Sequence, residues 1–442
     1  MAGIYIHVPF CQSRCAYCDF YSTTLSEEWK SQYLYALERE MQARQHEVGN
    51  VQLDTLYLGG GTPSQLSPAM LRRLLDMVTG LFCLKADAEV TVEANPDDVT
   101  PLWLEALQHT PVNRISMGVQ TFDDALLSLL RRRHTAAQAK EAVEACREAG
   151  YTNLSLDLIY GLPGQNMEMW RADLDRIEEM NIPHLSAYAL QYEPGTELFR
   201  LREAGKVEEA DEELSLQMYE ELCQRASAMG MEHYEISNFA LPGKRSRHNS
   251  SYWKQEPYWG FGPGAHSYDG ARCRRWNDAQ LKAYVNAAGD VPHGKEILND
   301  DELYDELVMT RLRTCDGLPL ELLSPENRRY CLRMAEVHSC LAALSLQLKL
   351  INGSKAPASH KGAVLCGDSS HCKAYCDLAQ RAAELWGSNR AFYESKLTGA
   401  VRDTDGLVME YEGKPIAAVF HAASAEKTEA AVDVWGNAVP YG

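Results

Sequence analysis

Cys11-Gln-Ser-Arg-Cys15-Ala-Tyr-Cys18 sets three thiols at C-x3-C-x2-C spacing near the start of the chain. Three thiolates can hold three corners of a 4Fe-4S cluster and leave the fourth iron open. An open iron can bind a substrate or cofactor, whereas a four-cysteine site is usually closed for electron transfer. Other polar sets follow apolar runs: Gly59-Gly60-Gly61-Thr62-Pro63, Glu93-Ala94-Asn95-Pro96, Gly118-Val119-Gln120, and Asp157 in Asp157-Leu-Ile-Tyr160-Gly-Leu-Pro163-Gly164. A glycine run lets backbone approach a ligand and offers it amide donors; alone, it reads more readily as a tight turn. The Glu93 carboxylate could take two ribose hydroxyls. A single buried Glu or Asp is more often a structural anchor, so it is the regular recurrence that points to a site.

The elements that must position these residues alternate. Strands are expected at Gly3–Val8, Thr55–Leu58, Glu89–Glu93, Arg114–Gly118, Asn153–Tyr160 and His184–Leu190. Helical stretches fall between them at Glu27–Arg44, Ala69–Val78, Ala136–Ala149 and Glu168–Met180, with Glu212–Met229 after the last. Strand–helix units in succession predict an α/β fold with a parallel sheet. A complete eight-unit barrel needs about 250 residues. The units within residues 1–235 predict a partial (β/α)6 barrel, open enough for a large substrate. The three cysteines then lie in the loop after the first strand, where such folds place their chemistry.

Residues 236–338 read as an irregular, aromatic cover followed by helix, with Leu307, Leu312, Leu318 and Leu323 as core positions. Residues 339–359 read as a linker. Residues 360–442 read as a small α+β piece, with a hairpin between Leu407–Tyr411 and Ile416–His421.

The chain of 442 residues is 45% hydrophobic, enough for a large core. A net charge of −19 argues against nucleic acid or an anionic membrane as the main partner. No signal-peptide pattern is expected at the N-terminus and no apolar run is long enough for stable membrane insertion. Thirteen cysteines, an odd number, fit a reducing cytoplasm better than a disulfide framework.

The three cysteines, the aromatic residue before the last and the Gly-Gly-Gly-Thr-Pro run resemble the radical S-adenosylmethionine superfamily. Tyr5-Ile-His-Val-Pro-Phe-Cys11, Arg114-Ile-Ser-Met-Gly-Val-Gln120 and the Asp157–Gly164 run resemble the oxygen-independent coproporphyrinogen III oxidase family within it. The resemblance spans about residues 1–338. It implies a 4Fe-4S cluster on Cys11, Cys15 and Cys18, and S-adenosylmethionine on the open iron. It implies that Tyr5, Gly60, Gly61, Thr62 and Glu93 hold that cofactor, with Tyr17 beside the cluster. It implies that Gln120, Arg132 and Asp157 line the region of a second cofactor in the oxidases. Arg131-Arg132-Arg133 offers three arginines, and the spacing from Gln120 favours the middle one.

Three features separate the oxidases from the haem-chaperone branch of this family. The oxidases carry a further cysteine two residues after the third, where Phe20 stands here. They also carry a long N-terminal arm. His248-Asn249-Ser250-Ser251-Tyr252-Trp253 matches the HNxxYW pattern of the chaperone group. His248, Tyr252 and Trp253 are therefore haem candidates, the alternative for His248 being a histidine satisfied within an aromatic lid. The branch implies haem as cargo, with haem-accepting proteins or an electron donor as partners. It leaves open whether the protein is an enzyme.

The tail resembles a different family, the stage II sporulation protein D group, which is similar to peptidoglycan lytic transglycosylases. Ser370-His371-Cys372, Ala400–Gly406, Ala418–Ser424 and Asp433–Gly436 carry that resemblance. His360, Cys366, His371 and Cys372 are the ligand types of a tetrahedral zinc site, against buried thiols or a Cys372/Cys376 helix pair. The expected catalytic glutamate is not recognisable and Ala425-Glu426 replaces the family's glycine pair, so the tail reads as an inactive remnant, a gene fusion, or two reading frames joined in error.

Overall fold

Six strands in which polar and apolar residues alternate build the sheet: β1 (Gly3–Val8), β2 (Gln52–Gly60), β3 (Cys83–Ala94), β4 (Arg114–Gln120), β5 (Leu154–Tyr160) and β6 (His184–Ala189). On β1, Ile4, Ile6 and Val8 alternate with Tyr5 and His7; on β5, Leu154, Leu156 and Leu158 alternate with Ser155 and Asp157. The apolar set is buried in one cluster with Leu34, Leu37, Leu71 and Leu74 of the covering helices. The polar set faces the interior. All six strands are parallel and adjacent in chain order. The register places Glu93 opposite Ser116, and Asp157 between Gly118 and Ser186.

The helices are Glu27–Val48, Pro68–Leu81, Pro101–Gln108, Ala136–Glu148, Met167–Glu179 and Glu212–Ala228, with shorter turns between. Five of them start at Ser67, Thr100, Thr135, Asn166 and Asp211. Each of these caps accepts the backbone N–H three residues on, stabilising its helix by about 1 kcal/mol.

The molecule is described from a computed structural model that covers residues 1–329 and 332, together with five further strands of the tail. It divides into two units, Met1–Leu318 and Pro319–Gly442.

The aromatic stretch after residue 235 is not the irregular cover that its sequence suggests. With β7 (Glu232–Glu235) just before it, it supplies β8 (Asn238–Ala240), β9 (Tyr258–Phe261), β10 (His266–Tyr268), β11 (Cys273–Asn277) and β12 (His293–Ile297). Together these six strands extend the barrel sheet to twelve: β8 adds antiparallel to β6, and β9 adds parallel to β1. Asp300–Leu312 is helical as expected, yet Leu312 is 65% exposed rather than core. That helix buries no residue; its first turn is acidic and it carries no continuous apolar stripe.

Glu40 locks this extension to the barrel. Its carboxylate has no exposed surface. It accepts hydrogen bonds from Arg44 Nη1 at 2.7 Å, Asn277 Nδ2 at 2.7 Å, the Tyr284 hydroxyl at 2.7 Å and Gly262 N–H at 2.9 Å. Arg44 also donates to Gly260 O at 2.8 Å and stacks over Phe261. A buried carboxylate is tolerated only when paired and hydrogen-bonded, as here.

In the second unit, β13 (Ala363–Cys366), β14 (Gly406–Tyr411) and β15 (Lys414–Phe420) form an antiparallel sheet. β14 and β15 are the hairpin read from the sequence. β16 (Ala431–Val432) pairs with β17 (Ala438–Val439). Of the zinc candidates, His360, His371 and Cys372 lie outside the described residues, and only the strand backbone of Cys366 is described. Among the described residues no helix is long and apolar enough to cross a membrane.

Candidate cofactor site

The loop after β1 carries Cys11, Cys15 and Cys18 to one side of a cavity of about 490 Å3. Gly60, Gly61 and Thr62 after β2, Glu93 on β3, Gly118 and Gln120 on β4, and Asp157 on β5 line the same cavity, with Tyr17 and Arg132. The size is within the roughly 300–1000 Å3 of ligand pockets.

Two of the three cysteines are tied in place from outside the loop. Cys11 N–H donates to Thr23 O at 2.9 Å, and its sulfur lies 3.4 Å from the Thr62 hydroxyl. Arg132 Nη1 donates to Cys15 Sγ at 3.2 Å. Burial pushes the Cys18 thiol up to about 11 and raises Cys11 as well. Without a metal both remain protonated; a bound metal ion deprotonates such thiols outright. Among the described residues no three His, Cys, Asp or Glu side chains converge as one metal ion would require. A cluster makes no such demand, because each thiolate binds a different iron.

Of the three consecutive arginines only Arg132 lines the cavity. Arg131 pairs with Glu197, and Arg133 with Asp97 and Asp98. Arg132 also donates to Asn95 Oδ1 at 2.7 Å and to Gly118 O, yet its Nε has no partner. Arg114, at the base of β4, is 1% exposed and lines the cavity with Nε and Nη1 both unpartnered. Two buried guanidinium groups with spare donors fit an anionic occupant such as an amino-acid carboxylate.

The glycines have individual reasons. A Cβ on Gly59 would lie 2.9 Å from Glu93 Oε1, and Gly60 holds φ +106° against His7. Removing those side chains lets Glu93 accept from the Tyr57 hydroxyl at 2.7 Å and from Gly60 N–H at 3.2 Å. Gln120 holds a positive φ of 74°, an uncommon conformation for a residue with a side chain. Such strain gathers at ligand sites.

Tyr5 does not line this cavity. It sits beside Tyr57 in the sheet, and its hydroxyl turns to His7 Nδ1 at 3.1 Å. Its ring lines a neighbouring aromatic hollow instead. His248 also departs from the expected haem-ligand role. It is 1% exposed, with Nδ1 2.8 Å from the Thr55 hydroxyl and Nε2 2.8 Å from the Tyr252 hydroxyl. Both ring nitrogens are engaged, which leaves no lone pair for iron. Tyr252 and Trp253 of the same motif face the hollow, while Asn249 lines the cluster cavity.

Sequence reasoning passed over Tyr57, Arg114, Ser116 and Ser186, which all line the cavity. For Tyr57, Ser116 and Ser186 the signal was available as the polar members of alternating strands; Arg114, the first residue of β4, carries no such signal.

Burial pushes the Glu93 carboxyl up to about 7 against the hydrogen bond from Tyr57, and Asp157 adds to the rise. Burial likewise carries Asp157 up to about 6, against its hydrogen bond from Ser186 and the nearby Arg114. Unfolded carboxyls titrate near about 4. Between about pH 4.5 and 7 the folded protein therefore holds a proton on Glu93 that the unfolded chain has lost, and stability falls as pH rises. Buried histidines titrate the other way, so the comparison is with Glu93→Gln. Relative to that variant, the cofactor-free protein is expected to lose up to about 3 kcal/mol between about pH 5 and 8 in chemical denaturation. A difference independent of pH would contradict the burial of this carboxyl.

The model of the radical SAM superfamily matches residues 5–177. The haem chaperone HemW of Bacillus subtilis is 37% identical over 319 residues, covering 71% of this chain and 84% of that protein. The chain belongs to the HemW family. HemW of Lactococcus lactis is 38% identical over 328 residues, covering 74% of this chain and 85% of its own. Among solved structures, the radical SAM coproporphyrinogen III oxidase HemN of Escherichia coli superposes with a TM-score of 0.62 at 25% identity. That match covers 71% of this chain and 75% of HemN. The fold is thus the α/β radical SAM barrel that the HemW family shares with that oxidase. Radical SAM membership implies a 4Fe-4S cluster and S-adenosylmethionine, and the three-thiol cavity with its spare cationic donors fits both.

Proposed function

We propose that this chain is a haem chaperone of the HemW type, holding a 4Fe-4S cluster and S-adenosylmethionine while it binds haem and passes it to an acceptor. The observation that carries the chaperone over the oxidase reading is Phe20, which stands where the oxidases have their further cysteine. Cys11, Cys15 and Cys18 hold the cluster. Gly60, Gly61, Thr62 and Glu93 hold the cofactor, the glycines by close backbone approach and Glu93 as a hydroxyl acceptor. Arg132 balances charge at Cys15 and offers its spare Nε. Gln120, Asp157 and Arg114 line the inner part of the cavity. When bound, the cluster and cofactor supply one-electron chemistry at a sulfonium; the protein's part is to orient them and exclude water.

The eight cysteines whose side chains are described are all free, which supports a reducing, cytoplasmic setting. For the tail, the sequence motifs alone carry a sporulation protein D-like reading without wall-cleaving activity; no murein release is expected from it. Zinc in that fragment rests only on the ligand types of its sequence.

The test is an anaerobic incubation with coproporphyrinogen III, S-adenosylmethionine and a reductant, beside a haem titration and transfer to an apo-acceptor. No decarboxylation together with haem uptake and transfer is expected. Conversion to protoporphyrinogen would establish the oxidase reading instead.

A further inference from the structure

Beside the cluster cavity lies a hollow of about 1000 Å3 that the cofactor assignments leave unused. Its walls are aromatic, formed by Tyr5, Tyr252, Trp253, Tyr258, Tyr268 and Trp276. Its volume lies at the upper end of the roughly 300–1000 Å3 typical of ligand pockets, as a large planar ligand needs. Phe20 lines both this hollow and the cluster cavity, with 64% of its surface exposed. A large exposed aromatic side chain at the divide between two cavities offers a face for a planar apolar ligand.

Two histidines line the hollow, His7 and His266. His7 is spent: Nδ1 contacts the Tyr5 hydroxyl at 3.1 Å and Nε2 lies 2.9 Å from Tyr21 O. His248, behind Tyr252, is sealed on both nitrogens as described above. His266 differs. It is exposed, lies in the short strand β10, and its ring runs nearly parallel to Trp276 at 6.2 Å. No hydrogen bond engages its ring; partial desolvation by the hollow's walls and the nearby Arg274 hold its proton affinity below that of a free imidazole, which favours the neutral form at pH 7. Neutral imidazole is the common axial ligand of haem iron. Arg274 on the same wall is paired with Glu306 at 2.5 Å and Glu296 at 3.7 Å, so a haem carboxylate there would share its guanidinium with those two acids.

We propose that this aromatic hollow is the haem cargo site, with His266 as the axial iron ligand and Phe20 bringing the porphyrin edge next to the cluster loop. The assignment rests on the haem-chaperone reading. It gives the motif Tyr252-Trp253 a place on the cargo wall, and gives His248 the role of positioning Tyr252 from behind. A single axial imidazole in an open hollow also suits a carrier, which must release its cargo.

The test uses the full chain, reconstituted anaerobically, with haemin as the probe. Binding is followed by the Soret band, and axial ligation by electron paramagnetic resonance and resonance Raman spectra. His266→Gly is expected to lose the imidazole-ligated signature, and added imidazole is expected to restore it. Cluster iron content should not change, because His266 is exposed and outside the cluster cavity. His248→Asn is expected to keep the imidazole-ligated spectrum, with a lower melting temperature. Unchanged ligation in His266→Gly, or its loss in His248→Asn alone, would overturn the assignment while leaving the chaperone reading intact. No haem binding by the unaltered protein would overturn the chaperone reading and this assignment with it.

Discussion

Cys15→Ala is expected to abolish the iron–sulfur centre outright. The cavity offers three thiols, and two thiolates cannot hold a cubane whose third protein ligand has become a methyl group. The loss should be near complete because among the described residues no fourth thiol lines the cavity: the groups at Cys15 are Arg132, a cation, and the Tyr17 hydroxyl, whose proton affinity burial raises, and the carboxylate of Asp19 lies beside Cys18. Cys83→Ala and Cys315→Ala serve as controls, since both thiols are exposed and neither lines the cavity. Iron and sulfide counts after anaerobic reconstitution, with the sulfide-to-iron charge-transfer absorption, read the result. Background levels are expected in Cys15→Ala and full occupancy in the controls. A full complement of iron and sulfide in Cys15→Ala would mean that the cluster is held elsewhere.

Glu40→Ala is expected to be the most destabilising single substitution outside the cysteines. It strands Arg44 in a buried setting and removes the acceptor of Asn277, Tyr284 and Gly262 N–H at once. Breaking a buried pair by deleting one partner costs about 3–5 kcal/mol. Glu40→Gln should cost less, because an amide still accepts from some of these donors while the Arg44 charge loses its main counter-ion. Arg44 retains Glu47 at 2.9 Å, which limits the penalty. Because Glu40 joins the helix Glu27–Val48 to β9–β11, the loss should release that edge of the sheet first. Urea denaturation read through the tryptophans would show a lower midpoint, and hydrogen exchange would show early opening of residues 258–277. A shift below about 1 kcal/mol, the scale of an exposed ion pair, would contradict the account of this network.

The barrel was legible because its strands obey a simple alternation. In Ser155-Leu-Asp-Leu and His184-Leu-Ser-Ala the apolar members pack under helices and the polar members face inward, Asp157 and Ser186 lining the cavity and Ser155 and His184 bonding to each other beneath it. The strand ends were harder to read. β3 begins at Cys83, well before the expected Glu89, because its first half, Leu84-Lys-Ala-Asp87, is largely exposed and lacks an apolar signature. Residues 232–297 were misread for a related reason. Their strands have three to five residues, and β9 pairs with β1, so Tyr258 meets Gly3. No local pattern encodes a partner so distant in the chain.

Single residues show the same limit. Arg114 opens a strand, where a charge usually marks an exposed end; only the assembled sheet shows that it is buried with spare donors. His248 looked like an iron ligand from its motif, and only coordinates reveal that Thr55 and Tyr252 occupy both nitrogens. The family resemblance implies a cofactor role for Tyr5, yet its hydroxyl turns to His7 and its ring to the aromatic hollow. The Gly59-Gly60-Gly61 run, ambiguous as a bare turn signal, gains its meaning from Glu93, which needs the space that a side chain on Gly59 would fill.

The central claim is that three thiolates hold a cluster with one iron left for a sulfonium cofactor. Electron paramagnetic resonance of the anaerobically reconstituted, reduced protein, recorded with and without S-adenosylmethionine, tests it most directly. The account predicts a reduced 4Fe-4S signal whose g-values shift when the cofactor is added, because the cofactor coordinates the open iron. A signal that the cofactor leaves unchanged, or the absence of any 4Fe-4S signal, would contradict it.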